Sequence, residues 1–359
     1  MKKIVVFMLA LCLLLGGCSD WKRGSYASVK PHEEPFGQTD KPIAKVKNYA
    51  QLMQALATLV ESGAESGALT MEYENEDDAQ SDMAQAIEKI RQENPFAAYA
   101  VENIGYSFGT NNSKVARIKI TYLPNRVRTD KIQRVQTLEQ IKTIICQRLD
   151  DCDASVVLYF DNPEQIDFVQ MVEDYVLAYP DRIMENPEVT VSLYPEQGQQ
   201  QVVELKFTYQ TSRVELRTYQ NKVEPVFASA LQYVTGEWTE EEKATRLYAF
   251  LMGRYQYSIQ TSITPAYSLL LHGVGDGRAF AMVYAAMCRE ANLECRVVTG
   301  ARNGTPWVWN AVQLNGVYYY LDLLRCNEDG GFHLYAQEEM TEYVWDYSAY
   351  PIAEEILEN

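Results

Sequence analysis

The chain has 359 residues, 49 of them acidic and 32 basic, which gives a formal net charge of −17 at pH 7. This acidity argues against nucleic-acid binding, which needs basic surfaces, and against electrostatic docking on anionic lipid. It is typical of a protein that stays soluble outside the cell. A chain of this length can form two or three domains with separate cores.

The first 17 residues predict an export signal. Lys2 and Lys3 precede an apolar run over residues 4–15, shorter than the roughly 20 residues of a membrane-spanning helix. The run leads into "LLGGC", which resembles the bacterial lipobox. That resemblance implies that Cys18 is lipidated and holds the mature chain on the extracytoplasmic face of a bacterial membrane. An ordinary signal peptide with an incidental cysteine is the alternative.

Residues 18–45 are polar and contain prolines, which predicts a flexible stalk between the lipid and the first domain. Five cysteines follow Cys18, and an odd number leaves at least one thiol free or paired between chains. Cys146 and Cys152 are the favoured disulfide pair. Neither the cysteine spacing nor the three histidines indicates a metal site, and no cofactor is predicted; the histidines are His32, His272 and His333.

An internal repeat follows the stalk. The segment "IKITYLPNRV", residues 118–127, matches "LKFTYQTSRV", residues 205–214, 87 positions later. In each copy the spacing of apolar residues predicts the order helix, strand, helix, strand, strand. We therefore expect an α+β fold with two small α/β-sandwich repeats, residues 46–130 and 131–222, each with helices on one face of its sheet.

Arg126 and Arg213 occupy the same position in the two copies. Either arginine could contact a ligand. The simpler interpretation is a surface arginine at a strand end that pairs with a nearby acid, because no catalytic residue type accompanies either one.

Residues 223–359 form the third predicted domain. Thr239 with acids behind it predicts the start of a helix, and the turn "GVGDG" opens a second helix. The segment "LECRVVTG" predicts a strand, and Asn315-Gly316 predicts a tight hairpin between "TPWVWNAVQL" and "VYYYLDLL".

These motifs, in this order, resemble the transglutaminase-like superfamily, which shares the core of papain-type cysteine proteases. Members of that family commonly have a Cys-x-Gly-Tyr-Ala turn at a helix start, a strand similar to "LECRVV", a His-Ala-Trp-Asn strand and a strand that ends in aspartate. Here the corresponding segments are "GDGRA" from Gly275, "WVWN" from Trp307 and "YYYLDLL" with Asp322. The resemblance implies this fold for roughly residues 224–351.

The same alignment puts Gly275 at the position of the family's nucleophile and Trp307 at that of its general base. Glycine has no atom that can attack a substrate, and an indole N–H only donates, so it cannot accept a proton. Only the third position, Asp322, keeps its residue type, and we expect it to have no imidazole to orient. The chain is therefore predicted to keep the scaffold without catalytic residues.

Other residues of the domain are poor replacements for the missing nucleophile and general base. Cys288 lies on the apolar stripe of its helix, so a buried thiol is expected. Asp276 could form a carboxylate pair with Asp322 as in glycosidases, but its position favours capping the helix. The predicted cleft also includes three further residues: Trp309, Asn310 and His272.

Three functions fit these observations. The favoured one is a non-catalytic, lipid-anchored surface protein that binds a peptide, a cell-wall component or another protein. A second is a hydrolase or transferase of altered mechanism that uses Asp276, Asp322 or His272. A third is a structural spacer, in which the repeats hold the last domain away from the membrane.

Overall fold

A computed structural model describes residues 43–109, 114–234 and 236–347. The predicted signal peptide, Cys18, His32 and the stalk up to residue 42 lie outside the described residues, as do residues 348–359. The fold is α+β, as predicted, and these described ranges contain three four-stranded sheets and one two-stranded sheet.

The first repeat is a mixed sheet with helices on one face. Its strands have the order β1-β2-β4-β3, with β1 parallel to β2 and the other pairs antiparallel. Asparagine side chains cap the three helices by accepting backbone N–H groups, which explains where each helix begins. The elements are β1 (Ala44–Val46), α1 (Tyr49–Glu61), β2 (Ser66–Met71), α2 (Glu76–Glu93), α3 (Pro95–Ala100), β3 (Val101–Phe108) and β4 (Val115–Tyr122).

The second repeat has the same topology. Its strand order is β5-β6-β8-β7, again with one parallel pair followed by antiparallel pairs. This match is compatible with the repeat expected from the sequence. The elements are β5 (Gln133–Arg134), α4 (Leu138–Asp150), β6 (Ser155–Asp161), α5 (Phe168–Ala178), β7 (Glu188–Tyr194) and β8 (Gln200–Thr208).

Arg126 joins the two repeats. Its guanidinium forms an ion pair with Glu204 on β8, and its Nη2 donates to the Tyr194 hydroxyl at 2.8 Å. It also lies over the rings of Tyr99 and Tyr194, 4.8 and 5.0 Å from their centroids. The arginine therefore has the structural role that the sequence favoured, although its acid comes from the neighbouring repeat.

Arg213 differs from Arg126 and does not lie at a strand end. It is the first residue of helix α6 (Arg213–Leu231), because Ser212 and Glu215 form a reciprocal capping box there. Its guanidinium pairs with Asp153 at 2.9 Å. Helix α6 also runs across the predicted boundary at residues 222 and 223, so the second repeat and the third domain share one continuous helix.

The third domain surrounds a central buried helix, α9 (Gly277–Glu290). All ten residues from 279 to 288 are buried, so the helix is packed on every side. An antiparallel sheet with the order β13-β12-β11-β14 covers it. The other elements are α7 (Glu240–Met252), β9 (Gln256–Tyr257), α8 (Pro265–His272), β10 (Val274–Gly275), β11 (Cys295–Arg302), β12 (Thr305–Leu314), β13 (Val317–Leu321), α10 (Leu323–Glu328) and β14 (Tyr343–Val344).

The hairpin between β12 and β13 turns at Asn315-Gly316, as predicted. Both residues have positive φ, 51° and 85°, the conformation that a two-residue hairpin of this type requires. The segment "YYYLDLL" is not strand to its end, however. The strand stops at Leu321 because the Asp322 side chain caps helix α10.

The predicted disulfide between Cys146 and Cys152 is absent, and both thiols are free. Cys146 lies within α4, whereas Cys152 follows the helix with a positive φ of 52°. The Cys152 sulfur faces α6, where Gln220 Nε2 approaches it at 3.7 Å. The turn after the helix thus directs Cys152 into the core of the third domain. Among the described residues, no helix is long and apolar enough to cross a membrane.

Arg126→Ala should destabilise the protein by about 1.5–3 kcal/mol, because the Glu204 carboxylate, which is 5 % exposed, loses its closer charged donor and keeps only the Lys206 ammonium, 3.7 Å away. Chemical unfolding measures the loss. Lys131→Ala is the matched control: this lysine makes only an exposed pair, so about 0.5 kcal/mol or less is expected. Equal effects of the two substitutions would contradict the assigned role of Arg126.

Candidate functional site

The site is built at the start of the central helix α9. Asp276 is its N-cap, and the carboxylate accepts the backbone N–H of Ala279 at 2.9 Å, as the sequence predicted. The preceding residue, Gly275, is buried in strand β10, which pairs with β9. A Cβ at Gly275 would lie 3.0 Å from the Leu269 Cδ1 and Ala279 Cβ atoms, so the backbone is packed as tightly as a glycine allows.

Trp307 and Asp322, two of the three predicted triad positions, are in direct contact. The indole Nε1 of Trp307 donates to Asp322 Oδ2 at 2.7 Å. Gly275 is not part of this pair, but helix α9 starts beside it: a Cβ at Gly277 would lie 3.3 Å from Leu324, two residues after Asp322.

Among the described residues no imidazole hydrogen-bonds to Asp322, but this residue has other partners. Its carboxylate is 2 % exposed and accepts four hydrogen bonds: Trp307 Nε1, the Tyr343 hydroxyl at 2.8 Å, and the backbone N–H groups of Leu324 and Arg325 at 3.1 and 3.2 Å. An indole cannot accept a proton, but it can donate one hydrogen bond, and a buried carboxylate needs donors. Trp307 therefore satisfies Asp322.

Tyr343 and Arg302 complete this cluster. Burial, followed by the neighbouring Asp322 charge, raises the pKa of the Tyr343 hydroxyl, so it stays protonated and donates. The Arg302 guanidinium lies 3.8 Å from Asp322 Oδ2. The sequence analysis missed both residues because they are separated from Asp322 along the chain. The aromatic segment "YVWDY", residues 343–347, contains Tyr343, whereas no motif pointed to Arg302.

Trp309 and Asn310 are not cleft residues. Both are fully buried: the Trp309 ring packs edge-on against Tyr343 and Trp345, and Asn310 Nδ2 donates to the carbonyl of Ala281 in α9. Trp307 is only half-buried, although it lies on the same face of the strand as Trp309. Asn310 therefore fastens the sheet to the central helix, whereas Trp309 packs on the other face of the strand, and a ligand can reach neither of them.

Neither of the two described histidines forms a hydrogen bond or an ion pair with Asp322. His272 is exposed at the end of α8, and its ring packs edge-on against Tyr267. His333 lies in a loop beside Tyr335, and its carbonyl accepts the Cys326 thiol at 3.1 Å.

Four of the five described thiols are in environments that favour the protonated form. Cys288 is fully buried in α9, as the sequence predicted. Burial raises the pKa of Cys152, Cys295 and Cys326, and burial with the nearby Asp150 charge raises that of Cys146 to about 11. A thiolate is the reactive form of cysteine, so none of these four environments activates a nucleophile.

A cavity of about 330 Å³ lies where the start of α9 faces the second repeat. Asp276, one of the predicted cleft residues, lines it, together with Arg278 in the first turn of α9. The second repeat contributes residues 183–186, and the loop before α8 contributes residues 261–263. The sequence analysis missed Arg278 because it lies in the glycine-rich turn at a position where the family pattern has a tyrosine.

Residues 228–345 match the family model described as the transglutaminase-like superfamily. No curated protein matches the chain. Similar solved structures include a transglutaminase (TM-score 0.28, 9% identity). The match covers 63% of that chain and 58% of this one. Another is a candidate cysteine protease from Cytophaga hutchinsonii (TM-score 0.26, 16% identity), with 70% of that chain and 47% of this one covered.

Trp307→Phe should destabilise the protein by about 1–3 kcal/mol, because the buried Asp322 carboxylate loses one donor while most of the aromatic volume is kept. Chemical unfolding measures this loss. The control is the same substitution in an Asp322→Ala background, where the hydrogen-bond contribution should disappear. An unchanged cost in that background would show that the Trp307 donor does not act through Asp322.

Proposed function

Residues 228–345 form a transglutaminase-like domain, and we propose that this domain is a non-catalytic binding module. Its ligand is a peptide, a cell-wall component or a protein. Gly275 and Trp307 occupy the positions of the family's cysteine and histidine, and Asp322 is the remaining member of the triad.

The observation that carries this proposal is the hydrogen bond from Trp307 to Asp322. In an active triad the carboxylate orients an imidazole, which takes the proton from the nucleophile. Here the carboxylate receives an indole N–H, and the indole has no lone pair to take a proton. The polar group that would serve catalysis instead stabilises the buried sheet edge.

The packing around Gly275 supports the same conclusion. A cysteine side chain at this position would require Leu269 or Ala279 to move by a few tenths of an ångström, so the native packing is fitted to a glycine. The raised pKa values of Cys146, Cys152, Cys295 and Cys326 argue against a replacement thiol.

An altered mechanism based on Asp276, Asp322 or His272 has less support. Each carboxylate already caps a helix, Asp276 for α9 and Asp322 for α10. The Asp322 carboxylate is also buried and fully supplied with donors, so a substrate would have to compete with four existing hydrogen bonds. His272 is exposed at the opposite end of helix α8 from the cavity residue Pro265.

The export signal and the lipobox-like Cys18 put the module on the extracytoplasmic face of a bacterial membrane, held by a lipid. The polar stalk and the two repeats then separate it from the membrane surface. Lipid anchoring suits a receptor whose ligand is also at the cell surface, because both partners are confined to one layer.

Iodoacetamide at pH 7 should modify the thiols of the native soluble protein, residues 19–359, slowly, and should modify them readily after denaturation. For Cys146, a pKa of about 11 leaves only about one thiolate per ten thousand molecules at pH 7, and its modification should rise about tenfold per pH unit up to pH 10. Mass spectrometry identifies the modified residues. Rapid native modification of one cysteine, or turnover of an amide substrate, would overturn the proposal.

Adding back the missing groups tests the triad positions. In a Gly275→Cys, Trp307→His variant, the imidazole can bind Asp322 and stabilise a thiolate at the helix start, so alkylation at pH 6 should be at least tenfold faster than in Gly275→Cys alone. Circular dichroism and thermal unfolding check that both variants fold. Equal alkylation rates in two folded variants would contradict the assignment of Gly275 and Trp307.

A further inference from the structure

The cavity at the start of α9 is bounded by two different parts of the chain. One wall belongs to the second repeat, and the other to the third domain. Its volume of about 330 Å³ is at the lower end of the roughly 300–1,000 Å³ typical of small-molecule sites, which often lie between domains. Much of its lining is apolar and includes Val176, Ile183, Met184, Ile263 and Met282.

Arg278 is the one basic residue among those that line this cavity. It is half-buried, and within residues 43–109, 114–234 and 236–347 no carboxylate lies within ion-pair distance of its guanidinium. Other half-buried arginines do have such partners: Arg289 pairs with Asp181 at 2.6 Å, and Arg302 lies 3.8 Å from Asp322. A guanidinium without a protein partner keeps its N–H donors for water or for an acidic ligand.

The two carboxylates of the cavity do not fill this role. Glu185 is 3 % exposed, and its two oxygens accept the backbone N–H groups of Gln210 and Thr211. Asp276 accepts the N–H of Ala279 as the helix cap. Both negative charges are thus stabilised by backbone donors, whereas the five N–H donors of the Arg278 guanidinium are available.

We infer that this cavity binds a carboxylate that is attached to a small apolar group, with Arg278 as the anion-binding residue. The planar guanidinium can hold a carboxylate through two parallel hydrogen bonds. The apolar wall then accommodates the adjoining side chain or alkyl group. This inference rests on the proposed binding function and names its ligand class: the C-terminal residue of a peptide has this chemistry, and so does a short fatty acid.

Isothermal titration of the soluble chain, residues 19–359, tests the inference with three probes: N-acetyl-alanyl-leucine, its C-terminal amide and octanoate. The free peptide acid should bind at least tenfold more tightly than the amide, because only the acid offers a charged partner to Arg278. Tighter binding of octanoate than of the peptide acid would assign the carboxylate to a lipid source, and the reverse to a peptide. Equal binding of acid and amide, or no binding of any probe, would overturn the inference.

Arg278→Gln should lower the affinity for the acid to that for the amide and leave the amide unchanged. The matched control is Arg254→Gln, because the Arg254 guanidinium lies over the Tyr233 and Phe250 rings and does not line the cavity. Thr261 is exposed and lines the cavity, so Thr261→Trp should block binding of both the acid and the amide. An Arg278→Gln variant that folds and binds the acid normally would overturn the role of Arg278.

These results are separable from a failure of the proposed function. If the acid binds no better than the amide and the thiols stay unreactive, the carboxylate site is wrong but the proposed non-catalytic function is unaffected. A reactive cysteine or amide turnover would remove the proposed function itself, whatever the probes do.

Discussion

The third domain depends on keeping one buried charge supplied with hydrogen-bond donors. The carboxylate of Asp322 is almost fully buried, and a charge in that environment is tolerated only when its oxygens are bound. Its donors come from strand β12, from the first turn of α10 and from strand β14. One side chain therefore fastens three segments that are distant along the chain. Tryptophan suits this position because it donates a hydrogen bond and fills apolar space.

This arrangement separates the structural part of the site from the part that a ligand can reach. The positions predicted for the triad contribute packing and hydrogen bonds: Gly275 allows close contact with Leu269 and Ala279, and Trp307 satisfies Asp322. The open volume lies at the helix start beside Asp276 and Arg278, where residues of the second repeat form one wall. A ligand there would contact both the second repeat and the transglutaminase-like domain, so the second repeat would contribute to specificity.

The junctions between the three units are themselves built from specific contacts. Arg126 of the first repeat is paired with Glu204 of the second, and helix α6 continues from the second repeat into the third domain. Arg289 of the central helix binds Asp181 and the carbonyl of Ala178 in the second repeat. The cavity is also lined by residues of both the second repeat and the third domain, so the shape of the cavity depends on these junctions.

The sequence by itself determined the features that depend on a few neighbouring residues. The Asp276 cap, the buried face with Cys288 and the Asn315-Gly316 turn follow from local backbone donors, helical spacing and turn geometry. The resemblance at the motifs also identified the fold of the third domain. Tertiary structure alone decided which partners those residues find: Trp307 and Tyr343 on Asp322, Glu204 on Arg126, and a cavity beside Arg278. These pairs are set by chain folding over long sequence separations, and no local pattern of polar and apolar residues encodes them.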